Sequence, residues 1–122
     1  MSPQQFISEY ADSLAEWTIN RVGAESIRTI FVGGSLAIDE VSAFDDDGFW
    51  EIYSDVDLYV VVQDGVDPVD IRARLSNPPT GDRESCRFLC PADVGVYSVE
   101  DLLQQPARPG TVFLGKHHKL LY

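Results

Sequence analysis

Two aspartates at alternate positions precede the most apolar stretch of this chain. Asp55 and Asp57 lie in residues 54–62, S-D-V-D-L-Y-V-V-V, where polar and apolar residues alternate before a continuous apolar run. Period-two alternation predicts a strand, with both carboxylates on one face and Cα atoms ~6.6 Å apart. Two like charges at this spacing repel, and a bound cation compensates for them. Because Mg²⁺ and Mn²⁺ prefer carboxylate oxygens, the pair predicts a site for one of these ions. Two aspartates at an exposed strand start are the alternative interpretation.

A glycine-rich turn upstream is the second candidate element. Residues 27–32 are rich in β-forming residues and lead into Gly33, Gly34 and Ser35, after which residues 36–40 are expected to start a short helix. A strand, a Gly-Gly-Ser turn and a helix start offer free backbone N–H groups and a hydroxyl, which suit a phosphate group. No Lys follows the glycines, so the turn is not a Walker loop. A plain turn is the alternative here.

Taken together, the two elements resemble the signature of a known superfamily. A hydrophobic strand ending in Gly-Gly-Ser, followed by a strand that carries Asp-x-Asp, resembles the nucleotidyltransferases that include DNA polymerase β, and most closely their small bacterial and archaeal members. The resemblance covers roughly residues 27–122. It implies a third carboxylate on a later, neighbouring strand, and Asp93 in residues 92–97 (A-D-V-G-V-Y) is the best match.

The resemblance implies a role for each of these residues. The catalytic and metal-binding residues would be Asp55, Asp57 and Asp93, holding two divalent ions, Mg²⁺ or Mn²⁺. The β- and γ-phosphates of an NTP, with ATP as the first candidate, would bind at Gly33, Gly34 and Ser35. Asp93 could also accept the proton of the acceptor. The reaction would transfer a nucleoside monophosphate to a hydroxyl or phosphate of an unidentified acceptor and release pyrophosphate.

The charge of the chain restricts its partners. Nine Lys and Arg against 20 Asp and Glu give a formal net charge of −11, which disfavours nucleic-acid and anionic membrane surfaces as partners. No Lys or Arg occurs between Arg28 and Arg72, while that stretch holds eleven Asp and Glu. Phosphate charge would therefore have to be met by backbone N–H groups, metal ions and basic residues from elsewhere, such as Arg72, Arg74, Arg83, Arg87 or Lys116.

The same charge pattern favours a second hypothesis. The chain would then be a non-catalytic nucleotide-binding module, or an antitoxin-like interaction module, of the same fold. A helical partner protein fits this hypothesis. A third reading is that a longer protein supplies a C-terminal helical domain to bind the acceptor.

The length of 122 residues predicts one α/β domain. We expect a small mixed β-sheet with flanking helices, as in a nucleotidyltransferase. Ser2, Pro3 and Gln5 form a helix start with a capping box, so the first helix is expected over about 3–22. An insertion, with an extra hairpin as one possibility, is expected over about 41–54. The remaining elements are expected as strand 55–63, helix 67–75, strand pieces 87–89 and 93–97 broken at Pro91, helix 98–105 and strand 119–122.

Two further features bear on the cellular compartment. Residues 1–5 lack the basic and apolar regions of a signal peptide, and the longest apolar run is too short for a membrane span. We therefore expect a cytoplasmic protein. Cys86 and Cys90, four residues apart on a strand, would be ~13 Å apart and beyond disulfide range, so they are expected to be buried, reduced thiols.

Overall fold

The chain has a mixed α/β fold. The computed structural model describes residues 2–33, 43–53, 56–89, 92–104 and 119–120. Its helices are α1 (Pro3–Val22), α2 (Pro68–Arg74) and α3 (Val99–Gln104), with a single 3₁₀ turn at Ala24–Ser26. Its strands are β1 (Ile27–Gly33), β2 (Ala43–Asp46), β3 (Phe49–Ile52), β4 (Asp57–Val62), β5 (Cys86–Phe88), β6 (Asp93–Tyr97) and β7 (Lys119–Leu120).

The strands form two sheets. The first has the order β6-β4-β1-β7, with β1 antiparallel to β4 and β7 and with β4 parallel to β6. The second has the order β2-β3-β5, in which the β2–β3 hairpin is antiparallel and β5 runs parallel to β3. The sequence predicts one sheet, and this is corrected: the strand pieces on either side of Pro91 join different sheets. β5 pairs with the hairpin of the insertion, where the Leu89 N–H donates to the Ile52 carbonyl at 2.9 Å.

Local signals at both ends define helix α1. The Ser2 side chain accepts from the Gln5 N–H, and the Gln5 side chain accepts from the Ser2 N–H, which satisfies two donors that a helix start leaves unpaired. The helix stops at Gly23, which has φ +91° and whose N–H donates to the Ile19 carbonyl.

Among the described helices, none combines the length and apolar composition needed to cross a membrane.

The β2–β3 hairpin turns on Asp47 and Gly48. Their φ values are +55° and +87°, the left-handed conformation at both positions that a two-residue type I′ turn requires. The Asp45 carboxylate accepts from the Gly48 N–H at 2.9 Å and fastens the turn. Residues 43–52 of the insertion thus form a hairpin, and β1 and β4 are direct neighbours in the four-stranded sheet.

One hydrophobic core lies between the helices and both sheets. Helix α1 contributes Phe6, Ile7, Tyr10, Ala11 and Leu14, and helix α2 contributes Ile71. They cover one face of the four-stranded sheet, which presents alternate residues of its strands: Ile30, Val32, Leu58, Val60 and Val96. Ile52 and Cys86 of the three-stranded sheet belong to the same core, and both are 0% exposed. The two sheets are therefore parts of one folding unit.

Candidate functional site

Gly33, Asp57 and Asp93 lie in one row across three neighbouring strands. Gly33, the last residue of β1, pairs with Asp57, the first residue of β4. Asp57 pairs in turn with Asp93, the first residue of β6. Neighbouring strands lie ~4.8 Å apart, and register partners point to the same face of a sheet. The two carboxylates therefore stand side by side where β1 ends.

The row lies on the face of the four-stranded sheet that is opposite to the shared core. Leu58 and Val60 of β4 point into the core and are 1% and 0% exposed. Asp57 and Tyr59 alternate with them and point to the other face, and Asp57 is partly buried while Asp93 is exposed. This arrangement leaves carboxylate groups on a face that α1 does not cover.

Three of the six predicted site residues lie outside the described residues. They are Gly34, Ser35 and Asp55. The helix expected at residues 36–40, Cys90 and Lys116 also lie outside them. Gly34 and Ser35 directly follow Gly33 in the chain, and Asp55 precedes Asp57 by two residues. The described half of the predicted site, Gly33, Asp57 and Asp93, comes together in the row.

An aromatic cluster stands beside the carboxylates on the same face. The rings of Phe31 and Tyr59 stack with centroids 5.1 Å apart and planes 7° apart. The rings of Tyr59 and Tyr97 follow at 5.9 Å and 23°. Sequence reasoning did not assign these rings to the site. The signal was present, because the alternation that pairs Asp55 with Asp57 continues to Tyr59.

Tyr59 connects the aromatic cluster to the carboxylates electrostatically. Burial raises the pKa of its phenol above the ordinary value of 10.0. Electrostatic interactions with Asp57, Tyr97 and Asp93, in decreasing order of size, raise that pKa further. The phenol therefore stays protonated at neutral pH and can act as a hydrogen-bond donor. Both carboxylates act on one hydroxyl, which agrees with their common face.

Two of the five basic residues proposed to meet phosphate charge form ion pairs elsewhere in the described chain. Arg74 pairs with Asp70 at 3.3 Å, and Arg83 pairs with Glu9 on α1. Arg87 lies on β5 in the three-stranded sheet. Arg72 differs, because its Nη2 donates to the Val96 carbonyl of β6 at 2.9 Å. In the described part of the chain, Arg72 is thus the cation bound to the strand that carries Asp93.

The donor set suits a hard divalent cation. Asp57 and Asp93 supply carboxylate oxygens, which Mg²⁺ and Mn²⁺ prefer over nitrogen or sulfur. The third predicted ligand, Asp55, is not among the described residues. Within residues 2–33, 43–53, 56–89, 92–104 and 119–120, no three His, Cys, Asp or Glu are grouped to hold a metal ion. The described chain therefore provides two ligands of the expected kind.

A separate cavity of about 450 Å³ lies between α1 and the segment before β5. Its lining includes Tyr10, Pro79, Gly81, Phe88 and Leu89, and none of the described residues that line it carries a charge. The Tyr10 hydroxyl donates to the Pro79 carbonyl at 2.7 Å, so this polar group is already paired. Among the described lining residues there is no carboxylate, imidazole or basic side chain, and the carboxylate row remains the stronger candidate for chemistry.

Comparisons with known proteins return no relative. The chain matches no protein-family model, no curated protein sequence and no solved structure.

Proposed function

We propose that this chain is a nucleotidyltransferase-like domain of the DNA polymerase β-like superfamily and that it transfers a nucleoside monophosphate. The donor would be an NTP, with ATP as the first candidate, and the acceptor a hydroxyl or phosphate of unidentified nature. The observation that carries the proposal is the single row formed by Gly33, Asp57 and Asp93. The row joins the end of the Gly-Gly-Ser strand to two carboxylates on neighbouring strands, which is the juxtaposition that the sequence signature predicts.

Each residue of the row has a distinct role in the proposal. Asp57 and Asp93, together with Asp55, would hold Mg²⁺ or Mn²⁺. When bound, such ions neutralise the negative charge that grows on a triphosphate during transfer. Asp93, the exposed carboxylate, would take the proton of the acceptor hydroxyl. Backbone N–H groups after Gly33 would bind the outer phosphates.

Tyr59 adds a donor that the charge pattern makes useful. No Lys or Arg lies between Arg28 and Arg72, so neutral donors must contribute to holding an anionic ligand. The Tyr59 phenol stands on the same face as Asp57, two residues along β4, and a phenol is protonated at neutral pH and can donate. We therefore assign Tyr59 a positioning role toward a phosphate group.

The reaction is expected in the cytoplasm, where NTPs are abundant and a free thiol such as that of Cys86 stays reduced.

A specific observation supports a second candidate, a non-catalytic binding module with a helical protein partner. It is the eleven Asp and Glu of the stretch between Arg28 and Arg72, which weaken the attraction for a triphosphate. Such a module would bind a metal ion or a partner protein and would release no pyrophosphate from any NTP.

Equilibrium binding of the four NTPs to the full chain, with and without Mg²⁺ or Mn²⁺, tests the proposal. We expect metal-dependent binding of at least one NTP, followed by slow hydrolysis in which water accepts the nucleoside monophosphate and pyrophosphate is released. Asp57→Asn should weaken this binding, because one metal-binding charge is lost. Asp64→Asn is the matched control, since Asp64 is exposed and follows the opposite end of the same strand. Failure of every NTP to bind with either metal would reject the nucleotidyltransferase proposal, and binding without pyrophosphate release would favour the second candidate.

A further inference from the structure

The side chain of Tyr97 folds back along its own strand and lies over Gly95. A Cβ atom on Gly95 would stand 2.8 Å from both Cε2 and the hydroxyl oxygen of Tyr97, closer than such atoms approach in proteins. The ring can occupy this place because residue 95 has no side chain. It is thereby brought beside Tyr59, the register partner of Gly95, although Tyr97 itself pairs with Val61.

Among the described residues, three rings form a row that ends at Tyr97. Phe31 stacks on Tyr59, and Tyr59 stacks on one face of the Tyr97 ring. Because the row follows the strand order β1, β4, β6, the face of the Tyr97 ring opposite to Tyr59 is the one turned away from β4. Within the described residues, β6 pairs with β4 alone and is an edge strand. The next stacking position in the row therefore lies just beyond the edge of the sheet, beside a tyrosine that is only partly buried.

Arg72 stands at the same edge of the sheet. The Asp93 N–H donates to the Val56 carbonyl, so residues 93, 95 and 97 bond toward β4 in the parallel pair. The Val96 carbonyl consequently points outward, and the Arg72 guanidinium donates to it at 2.9 Å. A guanidinium has five N–H donors. Among the described residues, the hydrogen bond of Arg72 to Val96 uses one of them, next to Tyr97 in the chain.

We propose that the outer face of the Tyr97 ring is the stacking surface for the base of the bound nucleotide, with the Arg72 guanidinium beside it. The inference rests on the proposed function, because it places the base of the same NTP whose phosphates lie at Asp57 and Asp93. Along β6, Gly95 is two residues from Asp93, ~6.6 Å, and a single nucleotide can extend over this separation. Aromatic stacking accepts any of the four bases, since each has a π face.

Binding of ATP compared with inorganic tripolyphosphate, both in Mg²⁺, tests this inference by isothermal calorimetry. Tripolyphosphate carries the phosphates without a base, so we expect the wild-type chain to bind ATP more tightly. Tyr97→Leu should weaken ATP binding by about 5- to 150-fold, the measured range for loss of one base–aromatic stack. Tripolyphosphate binding should stay unchanged in this variant. Tyr97→Phe keeps the ring and should keep the affinity for ATP.

Gly95→Ala provides an independent variant. Its Cβ meets only the far end of the Tyr97 side chain, so the ring can move aside and the fold should survive. We expect Gly95→Ala to weaken ATP binding and to leave tripolyphosphate binding unchanged. Tyr53→Leu is the control, because Tyr53 is an exposed tyrosine that follows β3 in the other sheet.

The possible outcomes separate this inference from the proposed function. Equal loss of ATP and tripolyphosphate binding in Tyr97→Leu, or no loss of either, would overturn the stacking inference while phosphate binding stands. If neither compound binds the wild-type chain, the proposed function fails and the inference fails with it. Should Tyr97→Leu melt before the assay temperature, Gly95→Ala decides, and an unchanged affinity for ATP in that variant would overturn the inference.

Discussion

Asp57 and Asp93 are direct register partners across the parallel β4–β6 pair, with the two carboxylates on one face of the sheet. The backbone holds them there, because the Asp93 N–H donates to the Val56 carbonyl, one residue before Asp57. Two like charges on neighbouring strands repel, and this repulsion lowers the stability of the folded state. A cation that binds only the native state would remove that cost.

Divalent ions should therefore stabilise the folded chain. Eight of the 20 Asp and Glu lie in residues 39–57, with no basic residue among them. We expect the melting temperature to rise more with millimolar Mg²⁺ or Mn²⁺ than with NaCl at the same ionic strength, because a specific site adds binding free energy to screening. Differential scanning fluorimetry measures both responses. Asp57→Asn should melt higher than wild type without metal and respond less to Mg²⁺, and equal responses of wild type to both salts would indicate screening alone.

The shared core predicts that both sheets unfold together. Ile52 on β3 is 0% exposed and belongs to the same core as α1 and β4. Ile52→Ala should lower the free energy of unfolding by about 2–5 kcal/mol, through lost transfer energy and a residual cavity. Phe44→Ala on β2 is the control, since Phe44 is 57% exposed and its loss should cost no more than about 0.5 kcal/mol. Urea denaturation followed by tryptophan fluorescence and circular dichroism should give one coincident transition, and two separate transitions would contradict the single folding unit.

Tyr10 should make stability depend on alkaline pH. Burial, and secondarily the charge of Asp82, raises the pKa of Tyr10 above its ordinary value of 10.0. The unfolded chain then loses this proton first, so the stabilisation is complete below about pH 10 and is lost as the pH rises through the folded-state pKa. Tyr10→Phe should flatten the decline of stability above pH 10.

The same variant should also lose stability at neutral pH. It removes the hydrogen bond from the Tyr10 hydroxyl to the Pro79 carbonyl, a loss of about 0.5–1.5 kcal/mol. Urea titrations at several pH values measure both effects. Wild type is the comparison, and a decline above pH 10 as steep in Tyr10→Phe as in wild type would contradict the assignment.

Local chemistry explains which elements could be predicted from the sequence. The capping box at Ser2 and Gln5 and the stop at Gly23 define α1 from short-range contacts alone. The alternation after Asp57 likewise marks β4, and Asp67 caps α2 through the Val69 N–H. Each of these signals lies within a few residues of the element that it defines.

Long-range pairing explains what could not be predicted. The pairing of β5 with β3 joins residues more than thirty positions apart. A strand of three residues such as Cys86–Phe88 is too short for its sequence to indicate which strand it pairs with. The position of the Tyr97 ring over Gly95 could not be predicted either. A single glycine in a strand indicates that another group packs closely against it, but not which residue provides that group. For the site, Asp93 could be assigned only through the family resemblance, whereas its register with Asp57 belongs to the tertiary fold.

Release of labelled nucleoside monophosphate from α-labelled NTP, with water as the acceptor and pyrophosphate as the leaving group, is the measurement that tests the central claim most directly. It is made on wild type, Asp57→Asn and Asp64→Asn. Asn keeps the size of the Asp57 side chain and removes one charge from the carboxylate row. We expect the rate of transfer in Mg²⁺ to fall at least ~100-fold in Asp57→Asn, the scale observed when one electrostatic stabiliser of a transition state is removed, and to stay at the wild-type level in Asp64→Asn. Transfer at the wild-type rate by Asp57→Asn would contradict the account.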